Sequence, residues 1–182
     1  MSTVDVILII LVILAALWRL STAAGRLDRV HIRRDKLRLS LLLQLAARTS
    51  CVARLTTSGA LTPEENQRLS DLVEKIADAS QLDAVRYFAA ESDLTQELCE
   101  IFSSDVKVRS VATSTEVFAI VNELSDACKR VSLARRFHND AVGAAQLLHK
   151  RKIVRYLKLA GNTRFPRTID MDDSIPEGFE NL

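Results

Sequence analysis

The clearest helical pattern of this chain lies in the segment from Val117 to Leu148, VFAIVNELSDACKRVSLARRFHNDAVGAAQLL. Two interleaved series of mostly apolar residues recur in it every seven positions: Val117, Leu124, Val131, His138 and Ala145, and Ile120, Ala127, Ala134, Ala141 and Leu148. This spacing places both series on one face of a helix and predicts a seam of the coiled-coil type. The alanines in the seam favour close packing against other helices of a bundle.

Helical patterns also dominate the rest of the chain. Apolar residues at helical spacing predict four long helices: from the N-terminal region to about Thr57, near Pro63–Ala79, near Gln81–Ser103 and near Ser114–Ala160. No stretch alternates apolar and polar residues for long enough to predict a strand. The sequence therefore predicts an all-α fold, an elongated antiparallel bundle of three to four long helices.

Residues typical of helix ends mark the boundaries of these helices. The residues of Thr62–Glu65 (TPEE) form a capping-box pattern with proline at the first helical position, and Thr113 and Glu116 repeat its spacing. Gly59 and Gly161 stand where C-terminal caps are expected. These signals divide the helices of the predicted bundle from one another.

Thirteen uninterrupted apolar residues, Val6–Trp18 (VILIILVILAALW), mark the N-terminal region. This run is shorter than the ~20 residues that cross a bilayer, but its flanks extend it to about 22 if Asp5 and Arg19 reach the two interfaces. A cleaved signal peptide and a helix of a soluble core are the alternatives, and no basic residue precedes the run as a signal peptide requires. We therefore predict a single N-terminal transmembrane helix, residues 1–25, as a membrane anchor.

A basic stretch follows the apolar run. Between Arg19 and Arg38 the chain has seven basic and two acidic side chains, a bias that predicts a cytoplasmic domain and an N-terminus outside. An odd number of cysteines without a pairing motif agrees with a reducing compartment. The bilayer is thus the first predicted partner, with contact to anionic lipid headgroups through Arg26, Arg29, Arg33 and Arg34.

The remaining residues are predicted to form one cytoplasmic helical domain, residues 26–165, and a tail, residues 166–182. Basic side chains dominate residues 19–54 and 107–167, whereas acidic ones dominate residues 60–105. Antiparallel packing would bring these oppositely charged segments face to face. The tail from Thr168 onward has five acidic and no basic side chains, a composition that predicts disorder.

Motifs of catalysis or metal binding are missing from the sequence. His138 and His149 lie about 16 Å apart along one predicted helix, too far to share a metal ion, and His31 is remote in sequence. There is no Cys-x-x-Cys, His-Glu-x-x-His or glycine-rich phosphate loop. We predict no catalytic residue, cofactor or metal site, and interpret Cys51, Cys99 and Cys128 as buried apolar residues. The basic cluster at 150–158 lacks the interleaved aromatic residues that nucleic-acid binding favours.

The seam helix also has a distinctive polar segment, Leu133–Val142 (LARRFHNDAV). It resembles the A-R-R-x-Y-N-D-A-V signature of the LemA family, with His138 where tyrosine is usual. Ala90–Thr95 (AESDLT) is similar to the A-E-N-x-L-S motif of that family, and Glu123-Leu124 precedes the signature as it does there. The tyrosine and asparagine pair that follows the family signature is absent. The resemblance implies a bacterial inner-membrane protein with a cytoplasmic helical bundle and no established activity.

Four residues of the signature, Arg135, Arg136, Asn139 and Asp140, have two interpretations. They either anchor neighbouring helices through charge-assisted hydrogen bonds, or present an interaction patch to an unknown protein partner. The tether and the missing chemistry favour a scaffold or adaptor, not an enzyme. A sensory or envelope-stress signalling component is the alternative function, and a cryptic enzyme site between helices is the third. Homo-oligomerisation is a further interaction left open by the sequence.

Overall fold

The computed structural model describes residues 3–149, 167–180 and 182, and no strand occurs among them. Four long helices and one short helix account for most of these residues: α1 (Thr3–Thr57), α2 (Pro63–Leu82), α3 (Ala84–Ile101), α4 (Asp105–Val111) and α5 (Thr115–His149). A single 3₁₀ turn follows at Glu177–Phe179. The prediction of an all-α protein built on long helices is confirmed. The sequence did not predict α4, and the predicted end of the last helix lies outside the described residues.

The chain divides into two compact units. One unit comprises Met1–Lys36 and Asp140–Thr168, and the other comprises Leu37–Asn139 and Ile169–Leu182. Both α1 and α5 contribute residues to each unit. The sequence carries no signal for two limits of these units, because the positions 36/37 and 139/140 lie inside α1 and α5.

The helix ends follow the predicted capping chemistry in most places. The Thr62 side chain accepts a hydrogen bond from the Glu65 N–H, and the Glu65 carboxylate accepts one from the Thr62 N–H at 3.0 Å, which completes the capping box. Gly59 follows α1 with φ 71°, a left-handed conformation that glycine adopts without strain. The predicted cap of α5 is shifted by one residue, because Ser114, not Thr113, accepts the Val117 N–H.

Antiparallel helix pairs build the unit that contains Leu37–Asn139. Arg54 of α1 pairs with Glu123 of α5, and Gln44 of α1 accepts a hydrogen bond from Arg130 of α5 at 3.1 Å, so the two helices run in opposite directions. In α2 and α3, Lys75 pairs with Asp93 and Arg68 with Glu97, which gives the same relation. These three ion pairs lie within or between segments of the same dominant charge, whereas Lys107 pairs with Glu65 across a basic and an acidic segment, as the charge pattern predicted.

The seam of α5 is buried as predicted. Nine of its ten positions lie at 9% exposure or below, from Val117 to Ala145, and the tenth, Leu148, has a side chain outside the described part. Two apolar cores form along the bundle. The larger one surrounds Leu94 and Leu124, and the smaller one contains Leu41, Leu45 and Val131.

The N-terminal part of α1 is apolar and exposed. Its large apolar side chains from Val4 to Trp18 are all between 39% and 70% exposed. Within the part of the chain that the structure describes, no helix combines the length and apolarity that crossing a membrane requires.

The C-terminal segment, Ile169–Leu182, packs against the helices. Ile169, Met171 and Phe179 are buried, and Phe179 lies against the Phe102 ring with 4.9 Å between ring centroids. This packing differs from the disorder that the acidic composition predicted, because a few apolar side chains at suitable positions find complementary sites that helices elsewhere in the sequence provide.

Candidate functional site

A buried ion pair lies at the centre of the bundle. Arg48 of α1 and Glu91 of α3 are 1% and 0% exposed, and their side chains meet at 2.8 Å. The Arg48 guanidinium also donates to the Glu91 carbonyl oxygen at 3.0 Å and to the Thr95 hydroxyl at 2.9 Å. A buried charge is tolerated only when it is paired and hydrogen-bonded, and these contacts of Arg48 join α1 to α3.

Titratable groups around this pair are held in their neutral forms. Burial raises the pKa of Tyr87 above its ordinary value, and the neighbouring charge of Glu91 adds to this shift. Burial raises the pKa of Cys128 to about 11, although Arg48 opposes that shift. A thiol with such a pKa is protonated at neutral pH and is a poor nucleophile. We therefore interpret the group of side chains around Arg48 as structural.

The other two cysteines differ in burial, but the pKa of each thiol is raised. Cys51 is buried, as predicted, and burial raises the pKa of its thiol. Cys99 is only partly buried, and its Sγ lies 3.9 Å from the Ser174 carbonyl oxygen. Burial raises the pKa of Cys99 as well, and the nearby Asp172 carboxylate adds to the shift.

Helix side chains bind the main chain of the C-terminal segment at two places. Asn139 of α5 donates from Nδ2 to the Ile169 carbonyl oxygen at 3.0 Å and accepts the Ile169 N–H on Oδ1 at 2.9 Å. On α3, the Ser92 hydroxyl accepts the Asp172 N–H at 3.0 Å, and Thr95 Oγ1 lies 3.0 Å from the Asp172 carbonyl oxygen. Both main-chain groups of Ile169 and of Asp172 are thus bound by side chains.

One ion pair and two apolar side chains complete this contact. Arg135 of α5 pairs with Asp173 at 2.7 Å. Ile169 and Met171 are buried in the smaller core, whereas Asp170 between them is exposed. This alternation is that of an extended chain with one face on the helices. We name the surface formed by Ser92, Thr95, Arg135 and Asn139 the tail groove.

The four predicted patch residues therefore separate into two pairs. Arg135 and Asn139 bind the C-terminal segment, which agrees with the structural interpretation of these two residues. Arg136 and Asp140 are exposed on α5. The four residues thus do not act together on the C-terminal segment.

Sequence reasoning missed the residues that complete the buried cluster and the groove. Arg48 carried no signal, because a single arginine in an amphipathic helix is usually solvated. Glu91, Ser92 and Thr95 lie in Ala90–Thr95, which was noted only for its resemblance to a family motif. Glu91 and Thr95 are four positions apart, a spacing that places them on one helix face and was the available clue.

No group of three or more His, Cys, Asp or Glu side chains suited to a metal ion occurs within residues 3–149 and 167–180. His138 is buried in the seam, while the side chains of His31 and His149 lie outside the described part.

No family model, curated protein or solved structure matches the chain. The assignment to the LemA family accordingly stays a prediction from the residues quoted above.

Proposed function

We propose that this protein is a LemA-like adaptor, attached to the bacterial inner membrane through the start of α1 and binding a partner protein through its cytoplasmic helices. The observation that carries the attachment is the exposure of every described large apolar side chain between Val4 and Trp18. Side chains on all sides of a helix are exposed there, whereas a helix packed on a protein core exposes one face. An apolar solvent on all sides is what a bilayer supplies.

The length of the attached segment sets a requirement on its ends. Residues 3–25 of α1 form about 23 residues of helix, or about 34 Å, against a hydrocarbon core of ~30 Å. Asp5 and Arg19 must then reach the two interfaces, and Trp18 lies where an interfacial aromatic residue is favourable. Arg29 and Arg33, both exposed, follow on the side that the charge bias makes cytoplasmic.

The membrane proposal is tested by extraction. The full chain should stay with bacterial membranes in alkaline carbonate, and Ile10→Lys with Ile13→Lys should release it, because charged side chains at the bilayer centre cost about 2.5–3.5 kcal/mol each. Leu39→Lys with Leu43→Lys is the matched control, since both leucines are exposed on the same helix outside the apolar run. Release of the unaltered chain by carbonate would contradict the proposal.

The adaptor proposal is tested by crosslinking in cells, followed by purification from solubilised membranes and mass spectrometry. Arg136→Ala with Asp140→Ala alters exposed residues only and should leave the fold intact. Arg135→Ala with Asn139→Ala alters the tail groove. Loss of a partner with either folded variant locates the binding surface, and recovery of no protein other than this chain would count against an adaptor.

A further inference from the structure

The tail groove binds peptide main chain through side chains. Asn139 satisfies both main-chain groups of Ile169, and Ser92 and Thr95 contact both main-chain groups of Asp172, three residues further on. Hydrogen bonds to main-chain groups are the same for every residue type except proline. This part of the recognition therefore does not depend on which side chains the bound segment carries.

The remaining contacts define what the groove selects. Ile169 and Met171 fill the smaller core at alternate positions, where Leu41, Leu45 and Val131 surround them. Asp173 pairs with Arg135, whose side chain is 28% exposed, at the edge of the groove. The matching ligand is an extended segment with two apolar residues at alternate positions, followed by acidic residues.

We propose that the tail groove is a peptide-binding site for such a segment of a partner protein, and that the C-terminal segment occupies it as an intramolecular competitor. This proposal rests on the adaptor function and names the chemistry of the partner. Recognition of an extended segment by its main chain, with pockets for alternate side chains, is an established mode of peptide binding. In this protein, side chains of helices bind the main chain of the segment, whereas in other peptide-binding domains the edge of a sheet binds it.

Competition sets the conditions under which a partner binds. A segment on the same chain acts at an effective concentration of about millimolar, so a partner must be present at a comparable local concentration or bind more tightly. The ion pair of Arg135 with Asp173 is partly exposed, at 28% and 15% for the two side chains, and is screened by salt and by competing carboxylates. An acidic partner segment would replace this bond directly.

The experiment uses the full chain in detergent micelles and a fluorescent peptide with the sequence of residues 167–176. Ile169→Asp with Met171→Asp disables the competitor while leaving the groove residues unchanged. We expect the disabled chain to bind the peptide at least about tenfold more tightly than the unaltered chain does, measured by fluorescence anisotropy. The same peptide carrying aspartate at both apolar positions should not bind.

Two further substitutions in the disabled chain test the groove itself. Asn139→Ala should weaken peptide binding at least about tenfold, because two main-chain groups of the peptide lose their partner. Asn122→Ala is the matched control, a partly buried asparagine nearer the start of the same helix, and should leave binding unchanged. Equal binding by both variants would overturn the assignment of the groove.

A measurement on the unaltered chain does not depend on the disabled variant. Met171 and Met1 are the only methionines, so the labelled Met171 methyl group reports docking of the segment in an NMR spectrum. Millimolar unlabelled peptide should move this signal toward its undocked position. An unmoved signal, or unfolding of the disabled chain, would show that the segment is an inseparable part of the core and would overturn the proposal.

The remaining outcomes separate this proposal from its alternatives. A concentration-dependent dimer of the unaltered chain, lost in the disabled chain, would show that a second copy occupies the groove and would overturn the assignment to a partner. Peptide binding in micelles without any partner recovered from membranes would contradict the adaptor function alone. Recovery of a partner without peptide binding would contradict the groove alone.

Discussion

At the residue scale, two motifs that are distant in the sequence contact the same C-terminal segment. Glu91 and Thr95 hold the Arg48 guanidinium, while Thr95 and Ser92 also contact the C-terminal segment. Asn139, on the opposite helix, binds the same segment. The motif at Ala90–Thr95 and the polar segment of α5 are therefore coupled through residues Ile169–Asp173, although neither motif shows this in its own sequence.

Arg48→Met should destabilise the protein by about 3–5 kcal/mol, because it leaves the Glu91 carboxylate buried without its partner. The double variant, Arg48→Met with Glu91→Met, should lose less stability than Arg48→Met alone, since no buried charge then remains. Urea unfolding followed by circular dichroism of the full chain measures both values. Equal losses in the two variants would show that the ion pair itself is not the source.

The exposed pair Arg54 and Glu123 provides the control for this comparison. Both side chains are half exposed, so solvent screens their attraction in the folded protein. Arg54→Met should therefore shift the urea midpoint far less than Arg48→Met does. If Arg54→Met and Arg48→Met shift the urea midpoint similarly, the lost stability comes from the methylene groups of arginine and not from the burial of a charge.

The Asp172 carboxyl makes docking of the C-terminal segment sensitive to acid. Hydrogen bonds from Ser174 of the same segment lower the pKa of Asp172, and the charges of Arg135 and Arg48, which lie on the helices that the docked segment contacts, lower it further. A depressed pKa stabilises the docked state above the ordinary value of 3.8, and this stabilisation is lost as the pH falls through the lower folded value. The Met171 methyl signal should thus stay constant from neutral pH to near 4 and move toward its undocked position below it.

Asp172→Asn isolates the contribution of this carboxyl. The variant has no group to titrate at this position, so its Met171 signal should change less over the same acid range. Asp170→Asn is the matched control, because Asp170 is an exposed residue of the same segment. An identical acid transition in all three proteins would assign the sensitivity to other carboxyl groups.

At the element scale, the 3₁₀ turn at Glu177–Phe179 packs against α4 and closes the larger core. The Gly178 N–H donates to the Phe102 carbonyl oxygen at 2.9 Å, which places the turn directly on the end of α3. Phe179, 0% exposed, then fills the space beside Phe102. This 3₁₀ turn is too short to be stable by itself, so its contacts with the helices hold it in place.

Gly178→Ala should destabilise the protein by about 1–3 kcal/mol, because a Cβ there would lie 2.7 Å from Val108 Cγ2 and 2.8 Å from two carbonyl oxygens. Gly143→Ala is the matched control within α5. Its added Cβ meets nothing within 4 Å, and alanine favours a helix over glycine by roughly 0.5–1 kcal/mol. Urea unfolding should show opposite signs for the two substitutions, and a neutral Gly178→Ala would contradict the tight contact.

At the scale of the whole molecule, charge and apolarity are separated along the chain. The apolar start of α1 precedes the basic stretch, and most of the acidic residues lie in α2, α3 and the C-terminal segment. Ion pairs such as Arg48 with Glu91 and Arg135 with Asp173 use part of this complementarity within one unit. Arg29 and Arg33, which follow the apolar run, are exposed, which suits a segment proposed to face lipid headgroups.

Reversing the charge of Arg19, Arg29 and Arg33 to glutamate should disturb the orientation in the membrane, because basic residues close to a transmembrane helix determine which side stays cytoplasmic. Protease added to inverted membrane vesicles should digest the helical domain of the unaltered chain, and only part of the reversed chain. The same reversals at Arg86, Arg109 and Arg136, which are exposed and distant from the apolar run, provide the control. Equal digestion of all three proteins would contradict the orientation.

The local features of this protein could be predicted from the sequence. The seam from Val117 to Ala145, the capping box at Thr62 and the four long helices depend on residues a few positions apart, so their patterns are visible in the chain itself. The one-residue shift of the cap to Ser114 reflects two neighbouring residues with the same capping chemistry.

The tertiary structure alone decided which distant residues meet. Arg48 and Glu91 are 43 positions apart, and Ser92 and Asp172 are 80 apart, so no local pattern relates them. The acidic composition of the C-terminal segment predicts a solvated chain, yet Ile169, Met171 and Phe179 find sites formed by several helices. The sequence determined the helices and their apolar faces through short-range periodicity, whereas long-range packing determined the tail groove and its occupant, because complementarity exists only once the helices are assembled.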